Sequence, residues 1–274
     1  MTKFILSIAT FCSFLPLPTS QAEVESVRIR EIQIPSKALN RSISFSIVTP
    51  EGEAPPNGWP VLFILHGHGR NHRTLLDDPV CQVLLLRQPY IIVLPDTQTG
   101  WWVDSPLRKD SRYEAMLEEV LNWVKDSGLV SSSRSRWGIA GWSMGGYGAT
   151  RFAARHPEQF SFLGTIIGLL DFPRTDGLSE DQRYPIPTSI FGKNENNWRA
   201  LNPINDIGNL KGYDIVIILA ERAFDRTMNE NFLEAAGKVG FPVTVHRLKG
   251  GHTFDSVKEG FEILLPTAAR HLAK

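Results

Sequence analysis

A serine between two glycines is the strongest chemical signal in the sequence. Gly141-Trp142-Ser143-Met144-Gly145 follows a short apolar run and precedes a stretch of small residues that favours a helix. A strand, a sharp turn and a helix are the context that a G-x-S-x-G nucleophile elbow requires. The glycines relieve crowding around a strained serine, and the N-terminus of the helix favours negative charge that develops beside its oxygen. The motif therefore predicts Ser143 as a nucleophile.

A serine is a weak nucleophile unless a histidine accepts its proton, and chains with such an elbow place that histidine last in the order Ser, acid, His. Of the seven histidines, His246, His252 and His271 lie well downstream. His252 follows the predicted strand 243–248 in a glycine-rich loop, whereas His246 lies inside that strand and His271 near the end of a predicted helix. Packing and solvation explain the last two positions. We therefore predict that His252 is the base.

An acid must hold that histidine in the correct tautomer. Asp225 lies in the loop after the predicted strand 214–220, at the carboxyl end where parallel sheets form their sites. Asp171 competes because it also ends an apolar run, whereas Asp214 begins its strand and faces the opposite edge. Any of the three could instead cap a helix or lie on the surface. Asp225 is the predicted acid, and Asp171 is the alternative.

The loop after the first central strand has the sequence His-Gly-His-Gly at 66–69. In folds with this elbow, such a loop donates one backbone N–H to the developing oxyanion, and the residue after the nucleophile donates another. This predicts the backbone N–H groups of His68 and Met144 as the oxyanion hole. His66, His68 and His72 could instead bind a metal, but no Asp or Cys accompanies them at a recognised spacing. No metal is predicted.

The elements that must position these residues alternate along the chain. Uninterrupted apolar runs predict strands buried on both faces, and segments with helical spacing lie between them. Ser111 and Glu114 have the spacing of a capping box at the start of one such helix. The predicted strands cover 61–65, 91–94, 136–140, 162–170, 214–220 and 243–248, and the predicted helices cover 112–126, 146–155, 229–238 and 256–272.

Two alternating apolar stretches, 27–34 and 43–47, flank a polar turn and predict an antiparallel hairpin at the start of the sheet. The later alternation of strands and helices predicts an α/β protein with a mostly parallel central sheet and helices on both faces. In such a sheet, sites form beyond the carboxyl ends of the strands. The predicted serine, acid and histidine all lie at that edge.

Two further features lie near this edge. Residues 171–206 interrupt the alternation with a segment rich in Pro, Asn, Arg and Gly. We predict either a lid or specificity insertion that borders the site, or a long surface connection. Trp101, Trp102 and Asp104 follow the strand 91–94, and we predict them as substrate-binding residues. Packing at the rim is the alternative for the two tryptophans.

Composition and charge exclude several classes of protein. The 274 residues are 42% hydrophobic, with 29 basic and 29 acidic residues, so neither a disordered chain nor a nucleic-acid partner is expected. A basic start, an apolar run and small residues at 20–22 predict a signal peptide over 1–22, followed by one domain over 23–274. The apolar run is shorter than the ~20 residues of a membrane span. The protein is thus predicted to be secreted or periplasmic, with Cys81 as a buried single thiol.

Several motifs together resemble one known family. They are the elbow extended to Ala149, the segments 101–106 and 155–160, the pair His66-Gly67 and the run Gly250-Gly251-His252. Over most of the mature length, the sequence is similar to the esterase family of α/β-hydrolases that includes esterase D, feruloyl esterases and the mycolyltransferase antigen 85. The elbow and the His-Pro-x-x-Phe segment are the more specific motifs. The resemblance implies the α/β-hydrolase fold, no cofactor, and Ser143, Asp225 and His252 as a catalytic triad.

These observations predict a secreted serine hydrolase that cleaves carboxylic esters through an acyl-enzyme. Residues 171–206 mix basic and aromatic residues and lack a periodic apolar face, which favours short-chain or aryl esters over long lipids. We therefore expect a small-molecule or carbohydrate-linked ester as the partner. Two alternatives are acyl transfer to a sugar or other alcohol, and a binding protein that keeps the fold without catalysis. The oligomeric state is left open.

Overall fold

An eight-stranded sheet forms the centre of the molecule in the computed structural model, which describes residues 28–273. Its strands are β1 (Ile29–Ser36), β2 (Arg41–Val48), β3 (Val61–Leu65), β4 (Ile91–Pro95), β5 (Trp137–Trp142), β6 (Phe162–Ile166), β7 (Asp214–Ala220) and β8 (Thr244–Leu248). The α-helices of the described residues are α1 (Pro79–Leu86), α2 (Tyr113–Asp126), α3 (Met144–Arg155), α4 (Thr188–Phe191), α5 (Glu195–Leu201), α6 (Arg226–Val239) and α7 (Phe254–Leu272). Short 3-10 helices cover Arg134–Arg136, Glu180–Gln182 and Pro203–Leu210. The predicted signal peptide, residues 1–22, lies outside the described residues.

The strands follow the order β1-β2-β4-β3-β5-β6-β7-β8 across the sheet. β1 pairs antiparallel with β2, and β2 pairs antiparallel with β4, so the predicted N-terminal hairpin is present. From β4 to β8 all neighbouring strands are parallel. The prediction of a mostly parallel sheet is confirmed, and the carboxyl ends of its parallel strands meet at one edge.

Each face of the sheet packs against its own apolar cluster, because successive side chains of a strand point to opposite faces. In β3, Phe63 and Leu65 join one cluster, together with buried residues of α2, α3 and α6. Leu62 and Ile64 join the other, together with residues of α1 and α7. Helices therefore cover both faces, as predicted. None of the helices formed by residues 28–273 is both long enough and apolar enough to cross a lipid bilayer.

The apolar run 162–170 is only partly a strand. β6 ends at Ile166, and Ile167 turns away from the sheet with a φ of 44°. Leu169 and Leu170 are nevertheless buried, and the backbone N–H of Leu169 donates to the carbonyl of Ser143 at 3.4 Å. The backbone N–H of Ile167 still donates to Ile218 of β7 at 2.7 Å, and burial without sheet pairing accounts for the apolar character of 168–170. The strand prediction is wrong for those residues.

Helix α1 was not predicted, because its sequence is an apolar run with no polar face. Asp78 caps it by accepting hydrogen bonds from the backbone N–H groups of Val80 and Cys81, both at 3.0 Å. Pro79 occupies its first position, where the missing N–H costs nothing. Cys81 is buried, as predicted, and this burial raises the pKa of its thiol to about 12.

Residues 171–206 hold α4, α5 and 3-10 turns, so they are not one irregular loop. The fully buried Asp171 anchors this segment. Its carboxylate accepts hydrogen bonds from Arg174 at 2.5 Å and from Asn202 at 2.7 Å. It also accepts one from Asn231 of α6 at 2.8 Å. Asp171, the alternative acid, therefore joins the segment to α6.

A second buried carboxylate joins α2 to α3. Glu114 accepts hydrogen bonds from Arg151 at 2.8 Å and from Arg155 at 2.5 Å. Burial raises the pKa of Glu114, but His156, Arg151 and Arg155 stabilise its charged form more strongly and lower the pKa to about 2. Because this side chain faces α3, it does not turn back to the start of its own helix. The predicted capping box of Ser111 and Glu114 is wrong.

We predict that Glu114→Gln lowers the free energy of unfolding by about 3 kcal/mol at pH 7, because it leaves the buried Arg151 without its counter-charge. The pKa of Glu114 is about 2 in the folded protein, against ~4.3 in an unfolded chain. Its charge-dependent stabilisation is therefore complete above pH ~4.3 and is lost as the pH falls towards 2. Urea unfolding of both proteins at pH 7 and pH 3 measures the effect, and the difference should be smaller at pH 3.

Glu118→Gln is the matched control. Glu118 lies one turn further along α2, and its side chain is 47% exposed. Its removal should change the free energy of unfolding by no more than about 0.5 kcal/mol. Equal losses in the two variants would contradict the role assigned to Glu114, as would a loss that is as large at pH 3 as at pH 7.

Candidate active site

Ser143 lies at a sharp turn between β5 and α3, with a φ of 54° and a ψ of −122°. A positive φ is unfavourable for a residue with a side chain and is the strained geometry expected of an elbow. Two glycines make the turn possible. A Cβ on Gly141 would meet the backbone of Gly145, and a Cβ on Gly145 would meet the carbonyl of Leu65 in β3. The backbone N–H of Ser143 also donates to Ile166 of β6 at 3.1 Å.

Three residues predicted from the sequence meet at the carboxyl edge of the sheet. Nε2 of His252 lies 2.8 Å from Oγ of Ser143, and Nδ1 lies 2.5 Å from Oδ1 of Asp225. The serine follows β5, the acid follows β7 and the histidine follows β8. The carboxylate favours a proton on Nδ1, which leaves Nε2 free to accept the proton of the serine. An arrangement of this kind can activate a serine hydroxyl for nucleophilic attack.

The acid and the imidazole are each held in one orientation. Asp225 is fully buried, and its Oδ2 accepts a hydrogen bond from Asn229 at 2.9 Å. The same amide of Asn229 donates to the carbonyl of Gly168 at 2.8 Å. The ring of Phe224 lies against the imidazole of His252, with centroids 4.4 Å apart. Rotation of either group would break these contacts.

Sequence reasoning missed Asn229, although its position carried a signal. It lies four residues after Asp225, and residues at i and i+4 share one face of a helix. The predicted helix begins at residue 229, whereas α6 begins at Arg226. Because the predicted helix starts only at residue 229, Asp225 lies outside it. The i, i+4 spacing of the carboxylate and the amide was missed for that reason.

The two predicted oxyanion residues lie beside the serine. Met144 is the first residue of α3, so its backbone N–H has no acceptor within the helix. His68 lies in the loop after β3 and lines the cavity that contains Ser143. The loop is anchored by His66, whose Nε2 accepts a hydrogen bond from the backbone N–H of Thr97 at 3.1 Å. An oxyanion hole needs donors at such positions.

Two of the three histidines considered as metal ligands, His66 and His72, have other partners. Nδ1 of His66 contacts the carbonyl of Gly67 at 2.8 Å, and Nδ1 of His72 lies 2.8 Å from Oγ of Ser46. Within residues 28–273, no group of three His, Cys, Asp or Glu side chains is arranged to hold a metal ion.

A cavity of about 140 Å³ opens at Ser143 and His252. The loop after β3, Trp142, Ile167 and the start of α7 form its walls. None of the described residues that line it comes from 171–206, which instead borders a separate cavity of about 360 Å³. Tyr184 of this segment stacks on Phe224, whose ring lies against His252, so the segment reaches the triad through one intervening ring, and its role as a lid or specificity insertion stays a prediction.

Comparison with known families decides the class of this chain. The sequence model of the family described as "Putative esterase" matches residues 36–239. The chain belongs to this esterase family.

Esterase MT1326 of Mycobacterium tuberculosis (strain CDC 1551 / Oshkosh) is 24% identical over 225 residues, which are 72% of this chain and 49% of that protein. The acetyl esterase of Caldicellulosiruptor saccharolyticus is 22% identical over 163 residues, which are 57% of this chain and 61% of that protein. The chain therefore spans less than two thirds of the length of these relatives.

A solved structure shows the same fold. FphF, a fluorophosphonate-binding serine hydrolase of Staphylococcus aureus, superposes with a TM-score of 0.75 at 15% sequence identity, covering 88% of this chain and 98% of that one. Together with the parallel sheet and its N-terminal hairpin, this likeness shows the predicted α/β-hydrolase fold. At such low identity, it shows the fold alone.

The structure buries both tryptophans that were predicted to bind substrate. Trp101 is 0% and Trp102 1% exposed, and neither lines the cavity at Ser143. The indole N–H of Trp102 donates to the carbonyl of His66 at 3.2 Å, behind the loop that follows β3. Trp101 stacks on Phe172, with ring centroids 4.7 Å apart. We correct their assignment from substrate binding to packing.

Asp104, the third predicted substrate-binding residue, caps α2. Its Oδ1 accepts hydrogen bonds from the backbone N–H groups of Glu114 at 3.0 Å and Ala115 at 3.1 Å, and its Oδ2 lies 3.4 Å from Arg112. A carboxylate there satisfies two free N–H groups and the positive end of the helix dipole. Asp104, and not Ser111 as predicted, thus caps this helix.

We predict that Asp104→Ala lowers the free energy of unfolding by about 1 kcal/mol, because two N–H groups of α2 lose their acceptor. The KM for a short-chain ester should stay within about twofold, because the side chain is not in the cavity. Denaturant unfolding and steady-state kinetics measure the two quantities. Asp110→Ala, which removes a 70% exposed carboxylate paired with Arg108, is the control and should change neither. A raised KM with unchanged stability in Asp104→Ala would restore the substrate-binding role.

Proposed function

We propose that this esterase hydrolyses carboxylic esters through an acyl-enzyme formed on Ser143. The observation that carries the proposal is the continuous hydrogen-bonded line from Oγ of Ser143 through His252 to the buried Asp225. A serine hydroxyl needs such a base to attack an ester, and the base needs such an acid to keep its orientation. Membership of the esterase family agrees with this chemistry.

The proposed reaction has two halves. In the first, Nε2 of His252 accepts the hydroxyl proton while Oγ of Ser143 attacks the carbonyl carbon. The carbonyl oxygen becomes an oxyanion, which the backbone N–H groups of His68 and Met144 stabilise. His252 then gives its proton to the leaving alcohol oxygen. In the second half, His252 accepts a proton from a water molecule while the water oxygen attacks the acyl carbon. The bond between that carbon and Oγ then breaks, His252 returns the proton to Ser143, and the acid product leaves.

The cavity favours small substrates. Its volume of about 140 Å³ is below the ~300–1,000 Å³ typical of pockets for drug-sized ligands. Ile167, Val257 and Phe254 give it apolar walls that suit a short acyl chain or an aryl group. The likeness to an acetyl esterase supports the same size class. We infer short-chain or aryl esters as the substrates.

We also propose that the esterase acts outside the cytoplasm. The support is the sequence of residues 1–22, which combines a basic start, a short apolar run and a small-residue end. Cleavage after residue 22 would leave every element of the sheet and the triad in the mature chain.

We predict that Ser143→Ala lowers the turnover of p-nitrophenyl acetate by about 10³-fold or more with the fold intact, because only oxyanion and binding effects remain. Ser42→Ala, on the exposed end of β2, is the matched control and should keep full activity. A fluorophosphonate probe should label the wild type and Ser42→Ala but not Ser143→Ala. Full turnover by Ser143→Ala, or labelling of that variant, would refute the nucleophile.

We predict that kcat/KM for p-nitrophenyl esters is greatest between acetate and butyrate and is about tenfold lower for octanoate, because the cavity excludes longer chains. Val257→Ala removes two methyl groups from its wall and should move the optimum towards longer chains. The measurement is a chain-length series below the micelle concentration of each ester. Efficiency that rises steadily to octanoate in the wild type would overturn the small-substrate inference.

A further inference from the structure

Arg70 is the one permanently charged side chain among the described residues that line the cavity at Ser143. It lies in the loop after β3, two residues beyond His68, and its backbone N–H donates to the carbonyl of Gly67 at 3.2 Å. The same backbone turn therefore presents the proposed oxyanion donor and fixes the backbone position of Arg70. The side chain is exposed to solvent at the mouth of the cavity.

A ring on the opposite wall positions the guanidinium. Its central carbon lies 5.2 Å from the centroid of Phe254, within the range of a cation–π contact. Phe254 is the first residue of α7 and itself lines the cavity. Arg70 therefore reaches across the mouth from the β3 loop to the start of α7. Its charge therefore lies at the mouth of the cavity.

No carboxylate of the described chain neutralises this guanidinium. Nearby cations differ in this respect: Arg73 pairs with Asp77 at 2.9 Å, and Lys258 pairs with Asp255 at 3.0 Å. Arg70 takes part in none of the ion pairs formed by residues 28–273. The N–H donors of its planar guanidinium, whose spacing matches the two oxygens of a carboxylate, are therefore available to a ligand.

We propose that Arg70 selects esters that carry an anionic group, such as a carboxylate, within reach of the cavity mouth. This inference rests on the proposed esterase reaction and adds the charge of the substrate to it. An anion on the substrate gains a counter-charge on binding, whereas a neutral ester of the same shape gains none. Because the guanidinium is exposed, the selectivity is moderate and decreases with ionic strength.

The test compares pairs of esters that differ in charge and by a single methyl group. One pair carries the charge on the acyl half: the mono-4-nitrophenyl ester of glutarate and its neutral methyl ester. The other carries it on the leaving group: 4-acetoxybenzoate and its methyl ester. The measured quantity is the ratio of kcat/KM for the anionic ester to that for its neutral partner. Comparing this ratio between variants cancels the intrinsic reactivity of each ester.

We expect Arg70→Gln to lower the ratio about threefold to fivefold for at least one pair, and the affected pair identifies the half that carries the anion. Arg70→Lys keeps the charge but loses the paired donors of the guanidinium, so it should retain part of the ratio. Arg73→Gln removes the same charge three residues away, outside the cavity, and should leave the ratio unchanged. Raising the ionic strength from 0.05 M to 0.5 M should lower the ratio of the wild type more than that of Arg70→Gln.

Three outcomes would overturn the proposal. They are equal ratios in the wild type and Arg70→Gln for both pairs, an equal fall in Arg73→Gln, and a fall in Arg70→Lys as large as in Arg70→Gln. In each of these three outcomes, hydrolysis of the neutral esters would still support the proposed esterase reaction. Failure of the wild type to hydrolyse any of the four esters would instead refute the proposed function itself.

Discussion

The close approach of three backbone segments at the elbow is the constraint on which the rest of the structure depends. Gly145 packs against the carbonyl of Leu65, and the N–H of Ser143 reaches Ile166, so α3 is fixed at once to β3 and β6. A strained φ at the serine costs of order 1–3 kcal/mol and persists only where the surroundings fix it. Here those surroundings are the fully buried strands β3, β5 and β6. The same contact sets the distance between the serine and the loop after β3, which supplies one oxyanion donor in the proposed reaction.

The acid extends this constraint to the far side of the sheet. A fully buried carboxylate is costly unless hydrogen bonds compensate its lost hydration. Asp225 meets that requirement with one oxygen on His252 and the other on Asn229, and Asn229 is tied in turn to Gly168 beyond β6. The imidazole is thus oriented by a helix and a loop that are themselves held against the elbow. The anchoring of 171–206 to the same helix through Asp171 and Asn231 adds a second tie to α6.

Features that depend on local sequence were predictable, and features that depend on distant partners were not. The buried strands, the elbow and the order of serine, acid and histidine follow from short patterns, because each needs only its own segment to be recognised. Asp104 was misassigned because the N–H groups that it caps lie about ten positions further along the chain. The run 168–170 resembled a strand because burial, which selects apolar residues, does not require strand pairing. Asp171 and Asp225 both follow apolar runs near the carboxyl edge and both accept a hydrogen bond from α6, and the structure distinguishes them because only Asp225 also contacts His252.

Burial also distinguishes two kinds of charged side chain in this structure. Glu114 and Arg151 are almost completely enclosed, so each requires the other, and their pairing holds α2 to α3. Arg70 is hydrated, so it can remain unpaired at little cost, and its proposed role is possible only for that reason. The formal net charge of the chain is zero, so no overall field draws anions towards the site. Any preference for an anionic ester must therefore arise within a few ångströms of the cavity, where Arg70 is the permanent charge among the described lining residues.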